Sequence, residues 1–231
     1  MTTFIQGKVK TIFELDEPDK VLIQYEDKVT AGNGKKEAYY EKKGEICCKI
    51  SELLFRELER CGVDTHYVSM PTYRAMAVKK VEIIPIEVVV RNVAAGSIVR
   101  QTTLEEGTVL PTPLVEWYLK DDEKDDPLLT EDRIALMGDY PLKTLKKRAL
   151  EVNNILREVF YDIGLTLVDF KLEYGYDMNG NLLLADELSP DGMRLWKEGT
   201  SESYDKDLFR NANGDIVTAY ENILTNLSRI I

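Results

Sequence analysis

Three groups of residues have the types and spacing to do chemistry. The first lies in LTLVDFKLEYGY and NLLLADEL, on either side of Asp177, Met178, Asn179 and Gly180. Both segments are rich in strand formers, and an Asn-Gly pair between such runs predicts a hairpin with those two residues at the centre of its turn. That register sets Glu173 directly opposite Asp186, with Lys171 on the same face. Two facing carboxylates repel, and a divalent cation, a shared proton or an intervening Lys or Arg would relieve them. An oxygen-only pair suits Mg²⁺, which takes one or two carboxylates, keeps waters and completes its shell with nucleotide phosphates. The hairpin therefore points to ATP chemistry, with a solvated edge hairpin carrying ordinary surface charges as the open alternative.

The second group is GKVK, where Lys8 and Lys10 are expected on one strand face beside Gly7, which permits close backbone approach to a triphosphate. The Gly-x-x-x-x-Gly-Lys spacing of a Walker loop is absent, and alternating lysines also describe a solvated strand face. In the third group, Arg91, Ser97 and Arg100 surround NVAAGS, a small-residue turn entering a short helix, where backbone N–H groups and a hydroxyl could hold a phosphate. The turn Pro190-Asp191-Gly192 in ELSPDGMRLW would aim Arg194 back towards the end of the carboxylate hairpin. Surface arginines beside a tight turn, and a turn beside a packed Trp196, are the ordinary readings. His66 is the only histidine and has no nucleophile motif beside it, so it is read as structural; a hydrolase triad or zinc mechanism gains no support.

These groups must be positioned by the elements around them. Gly7 to Leu15 and Val21 to Glu26 read as an N-terminal hairpin, followed by a small-residue loop, VTAGNGKK. Apolar residues at helical spacing predict a helix near Gly44 to Cys61, capped by Gly62. β-Branched runs at His66 to Val68, Ala75 to Val81 and Ile83 to Val90 predict strands and a crossing between lobes near Val81. A helix is expected over Leu142 to Ile163, closed by Gly164, and a last one over Ile216 to Arg229. The result is an α+β chain with a small β-rich lobe, 1–81, and a larger lobe, 82–231.

The chain has 231 residues, 44% of them hydrophobic, enough for a substantial core. A net charge of −11 disfavours binding to nucleic acid or anionic membranes, and no apolar stretch is long enough to span a bilayer. The N-terminus lacks the pattern of a secretory signal, so a start near Met1 and a cytoplasmic location are expected. Cys47 and Cys48 are neighbours in a helical pattern with only Cys61 left, too few ligands for a metal site, and all three are read as buried or idle thiols. A homodimer is the base-rate expectation for such an enzyme.

Taken in order, GKVKTIF, TAGNG, IPIEVVVRNVAAGS, EWYLKDDEKDDP, LVDFKLEYG and ADELSPDGMRLW resemble the successive signatures of the SAICAR synthetase family of purine biosynthesis, over almost the whole chain. The resemblance implies a two-lobed, ATP-grasp-like fold whose N-terminal lobe is similar to a kinase small lobe, with ATP between the lobes. It implies an ATP-dependent ligase that joins the carboxylate of carboxyaminoimidazole ribonucleotide (CAIR) to the amine of L-aspartate, through an acyl phosphate. By the same resemblance Lys8 and Lys10 contact phosphates, Val9 and Ile12 lie near adenine, and Lys120 is a further nucleotide contact. Glu173 and Asp186 are implied as Mg²⁺ ligands and Lys171 as a neighbour of the transferring phosphate. Arg91, Ser97 and Arg194 are implied to hold the ribonucleotide phosphate, with Asp191 near the imidazole or ribose. The TAGNG loop would cover the site and receive aspartate. Asn33 stands where related sequences often have Asp, and Met193 where a small polar residue is frequent; if Asn33 helps orient aspartate, its amide cannot serve as a base. A kinase or ligase on another phosphorylated acceptor, or a nucleotide-binding module without turnover, are the competing classes.

Overall fold

The computed structural model describes residues 3–32, 34–212 and 214–231. The chain opens with β1 (Thr3–Gln6), β2 (Lys10–Glu14) and β3 (Lys20–Tyr25), each antiparallel to the next. A small hairpin follows, β4 (Lys28–Ala31) with β5 (Lys36–Tyr39), where only a loop was expected. Its strands are short and polar, so the period-2 hydrophobic signal that marks a strand is missing.

Helix α1 (Lys43–Arg60) buries Ile46, Ile50, Leu54 and Leu58, a repeat of four that keeps one stripe turned inward. Then β6 (Tyr67–Thr72) and β7 (Ala75–Lys79) return, and the first sheet reads β1-β2-β3-β7-β6. The chain leaves it at Lys80.

The second sheet is built on β8 (Val81–Ile83), β9 (Ile86–Val93), β10 (Val109–Leu119), β11 (Leu128–Leu129), β12 (Leu165–Asp177), β13 (Leu182–Ala185) and β14 (Met193–Lys197). Strand β12 is its axis, pairing with β9 along its middle, with β14 at its start and with β8 and β13 near its end. The helices are α2 (Ser97–Gln101), α3 (Glu131–Met137), α4 (Leu142–Asp162), α5 (Asp207–Arg210) and α6 (Ile216–Ile230). Mixed helix and sheet give the expected α+β class.

Alternation along the strands separates two faces. Val88, Val90, Phe170, Leu172 and Tyr174 are buried on the face covered by α4, whose Leu145, Ala149, Val152, Leu156 and Phe160 are fully enclosed. Truncating one of these, as in Leu156→Ala, costs about 2–5 kcal/mol. Helix α6 packs on α1, tying the C-terminal helix to the first long helix. Among the described residues no helix is long and apolar enough to cross a membrane.

The carboxylate hairpin differs from expectation by one step. Glu173 pairs with Ala185 and Tyr174 with Leu184, because the turn holds three residues, Met178 to Gly180, rather than two. Asp177 closes it, donating its N–H to the Asn181 carbonyl and accepting from the N–H of Gly180, whose φ of 80° a glycine adopts without strain.

Candidate active site

The opposite face of the second sheet carries the charge. On β9 it presents Glu87 and Arg91, on β10 Glu116 and Tyr118, on β12 Asp169, Lys171 and Glu173, and on β14 Arg194. Each set follows the two-residue period, so the strand geometry alone lines the groups up. Four residues along a strand span about 13 Å, which sets the distance between two clusters on this face.

The first cluster surrounds Lys171. Its Nζ lies 2.6 Å from Glu173, 2.8 Å from Glu87 and 4.0 Å from Asp186. Lys10 reaches across from β2 to Asp186 at 2.5 Å and Glu187 at 3.0 Å, and Lys120 reaches Glu173 at 2.7 Å. Lysines stand between these carboxylates. The slipped register would send Asp186 to the wrong face, but it lies past the end of β13 with φ 65°, a left-handed turn that accompanies its return to the cluster.

Burial alone would raise the Asp186 pKa; the Lys10 and Lys171 ammoniums outweigh it and hold the carboxyl well below its usual range. Burial works against charge on Lys10 and Lys171, and the surrounding carboxylates keep both ammoniums protonated above their ordinary value. Glu87 goes the other way, raised by burial despite Lys171. Among the described residues no three His, Cys, Asp or Glu side chains converge as a closed metal cage. The two carboxylates Glu173 and Asp186 are an all-oxygen donor set that fits a cation completing its shell with water and phosphate oxygens.

The second cluster surrounds Asp169, buried at 4% exposure. Arg91 meets it at 2.6 Å and Arg194 at 2.8 Å, while Arg91 also reaches Glu116 at 2.6 Å, Ser97 Oγ at 2.8 Å and Tyr118 at 3.1 Å. Arg194 turns to Asp169 and Asp207 rather than to the end of the carboxylate hairpin, because β14 pairs antiparallel with the start of β12. Gly96, at φ 68°, lies against this cluster: a Cβ there would stand 2.5 Å from the Arg194 guanidinium and displace it. Arg100 is exposed and stays out of the cluster.

A cleft of about 830 Å³ opens between the sheets. Lys120, Lys171, Glu173, Asp186 and Asp191 line one side; Ile12, Val21, Ile23 and Val78 supply an apolar wall from the first sheet. Lys8, Val9 and Lys10 also line it, but Lys8 stands in the turn before β2 rather than on a strand face, and it pairs with Asp122 at 2.7 Å across the cleft. Arg91, Ser97 and Arg194 are not part of this lining and form the separate cluster above. Of the TAGNG loop, Thr30, Ala31, Gly32 and Gly34 reach the cleft; Asn33 lies outside the described residues.

Asp191 is buried and its oxygens are committed, one to the ammonium of Lys43, the other to the Tyr220 hydroxyl at 2.9 Å. Burial opposes its charge and Lys43 restores it, leaving the carboxyl below its usual range. This joins α1, the loop before β14 and α6 under the cleft floor. Met193 is a core residue paired with Phe170. His66 is buried with its ring 5.2 Å from Phe55, and Cys47 and Cys48 are buried free thiols, whereas Cys61 is exposed.

Sequence reasoning missed Glu87, Asp169, Lys43, Lys206 and Arg210. Glu87 and Asp169 carried a readable signal, Glu87 as a lone carboxylate inside an apolar strand run and Asp169 by its two-residue spacing from Lys171 and Glu173. Lys43 sits at a helix start with nothing local to mark it as buried. Lys206 and Arg210 line the same cleft as Thr30 to Gly32, and only the fold brings them there.

The SAICAR synthetase family model matches residues 3–227. A phosphoribosylaminoimidazole-succinocarboxamide synthase of Methanocaldococcus jannaschii is 48% identical, covering 96% of this chain and 92% of the relative; one from Prochlorococcus marinus is 45% identical, covering 98% and 96%. A solved SAICAR synthetase in complex with ADP superposes with a TM-score of 0.93 at 39% identity, covering 96% of each chain. With a family model spanning nearly its whole length and relatives this similar end to end, the chain belongs to the SAICAR synthetase family.

Proposed function

We propose that this chain joins the carboxylate of CAIR to the amine of L-aspartate, with ATP cleaved to ADP and phosphate. The observation that carries the reading is the sheet face itself: a lysine-carboxylate cluster at the floor of an apolar-walled cleft, about 13 Å along the same strands from a pair of arginines. Together they offer separate places for a triphosphate and for the phosphate of a ribonucleotide.

A carboxylate is a poor electrophile because its leaving group is an oxide. Attack of a CAIR carboxylate oxygen on the γ-phosphorus breaks the bond to the bridging oxygen, releases ADP and leaves an acyl phosphate. The aspartate amine then attacks the acyl carbon, phosphate departs with the bonding pair, and the amine loses a proton as the amide forms. Transfer between anions needs positioning and charge neutralisation more than a protein nucleophile. Lys10, Lys120 and Lys171 supply that neutralisation, and their carboxylate neighbours keep Lys10 and Lys171 charged.

Glu173 and Asp186 would hold Mg²⁺, which when bound neutralises phosphate charge. Val9 and Ile12, with the apolar wall, take the adenine, and Lys8 meets the phosphates. Arg91, Ser97 and Arg194 hold the ribonucleotide phosphate with a planar, always-charged fork. Asp191 orders the floor through Lys43 and Tyr220. Lys206 and Arg210 give the cleft they line with Thr30 to Gly32 the positive charge that a dicarboxylate needs. The segment 1–81 acts as the nucleotide-covering lobe on 82–231.

ADP release with Mg²⁺ and CAIR, with and without L-aspartate, tests the reading while product is followed by ultraviolet absorbance. Aspartate-dependent release matched by product is expected. Release with no aspartate requirement and no amide product would overturn it.

A further inference from the structure

A second cavity, about 480 Å³, lies behind the catalytic hairpin, between the segment after α1 and the first turns of α4. Its wall includes Lys143, Thr144, Lys147, Arg148 and, beneath them, Tyr174. Helix α4 is 21 residues long, starts without a side-chain cap at Pro141, and has no acidic residue in its own first turn to offset the positive end of its dipole. Independently, Tyr174 is 1% exposed and its hydroxyl has no hydrogen-bond partner among the described residues. A buried hydroxyl is ordinarily paired, so an orphan on a cavity wall marks a donor waiting for an acceptor.

The carboxylates nearest these cations stand off at long ion-pair distances. Arg148 stands 3.6 Å from Asp64, with its other nitrogen on the Leu182 carbonyl, and Lys147 stands 3.7 Å from Glu151. Those two carboxylates set a threshold: an entering anion must outcompete them, which favours a dianion with several acceptor oxygens over a single carboxylate. The volume falls in the range of small-molecule sites.

We propose that this cavity is a second binding site, for a small phosphate-bearing anion, on the reverse face of the hairpin that carries Glu173 and Asp186. Tyr174 follows Glu173 on β12 and points to the opposite side of the strand, and Arg148 holds the first residue of β13. An occupant would therefore touch the back of the element whose front lines the cleft.

The test is calorimetric titration of inorganic phosphate, and separately ribose 5-phosphate, into the whole chain with its cleft already saturated by Mg²⁺ and a non-hydrolysable ATP analogue and its Arg91 and Arg194 cluster by CAIR. Lys143→Glu and Lys147→Glu change exposed side chains and should each weaken binding by about tenfold or more, the size of one lost charged contact. Tyr174→Phe should weaken it severalfold, and Lys197→Ala, exposed at the opposite end of β12, should leave it unchanged. Binding of either probe with that pattern supports the site. Absence of binding for both probes at millimolar concentration, or affinity unchanged in both charge reversals, overturns it. Because binding is read directly with the cleft and the arginine cluster filled, and the two charge reversals lie on α4, failure of this site and failure of the proposed ligation are read separately.

Discussion

Asp186 is where sequence, backbone and charge meet. It is held at φ 65°, paired with Lys10 at 2.5 Å and kept ionised by Lys10 and Lys171. Asp186→Asn keeps the shape but exchanges a carboxylate for a weaker cation ligand and leaves Lys10 with Glu187 alone. Turnover should fall at least ~100-fold, about 2.7 kcal/mol of transition-state stabilisation, with the circular dichroism spectrum unchanged. Near-normal kcat at ordinary Mg²⁺ would remove Asp186 from the site. Arg194 tests the other cluster. In Arg194→Ala, Asp169 keeps Arg91 and Asp207 keeps Arg210, so the fold has no reason to fail. The ribonucleotide KM should rise roughly 10- to 100-fold, the worth of one charged contact, while ATP affinity changes little. Calorimetry giving the reverse pattern would exchange the two roles.

At the level of elements, β12 explains both what the sequence made legible and what it hid. Alternation in LVDFKLEYG marks Asp169, Lys171 and Glu173 as one face, and α4 is legible from its apolar stripe almost to the residue. The turn was not: Asn179-Gly180 serves two- and three-residue loops alike, and nothing local distinguishes them. The polar β4-β5 hairpin and the position of Lys8 were hidden because neither carries hydrophobic periodicity. Arg194 was misaimed because its direction depends on which strand β14 pairs with, a long-range fact. The same strand carries a sharp test at Gly175, where a Cβ would stand 2.7 Å from the Glu82 carbonyl oxygen of β8. Gly175→Ala forces β8 off β12 at the start of the second sheet, and should cost about 1–3 kcal/mol as overpacking does, seen as a lower denaturant midpoint. An unchanged midpoint would mean that β8 yields freely.

For the whole molecule, the governing fact is a net charge of −11 in a protein whose proposed substrates are all anions. Local fields must reverse the global one, so cations are gathered in the cleft and kept charged by buried carboxylates, and the structure becomes sensitive to protons. Several buried groups respond in opposite senses. Burial raises Asp205 to about 6, so its share of stability grows as pH falls below that value. His66 does the reverse: burial lowers its pKa to about 4, against 6.5 for an exposed imidazole. Between those values the unfolded chain binds a proton that the folded chain refuses, so stability contributed by neutral His66 is present above pH 6.5 and is lost as pH falls towards 4. Since His66 is the only histidine, its part can be isolated by difference. Urea unfolding of the natural chain and of His66→Gln at pH 7 and pH 5 should show the stability difference between them shifting against the natural chain by about 2 kcal/mol at the lower pH. A difference that stays constant across that window would mean the imidazole takes up its proton in the folded state as readily as in the unfolded one, and that the wall it forms between Phe55 and the cleft is wet.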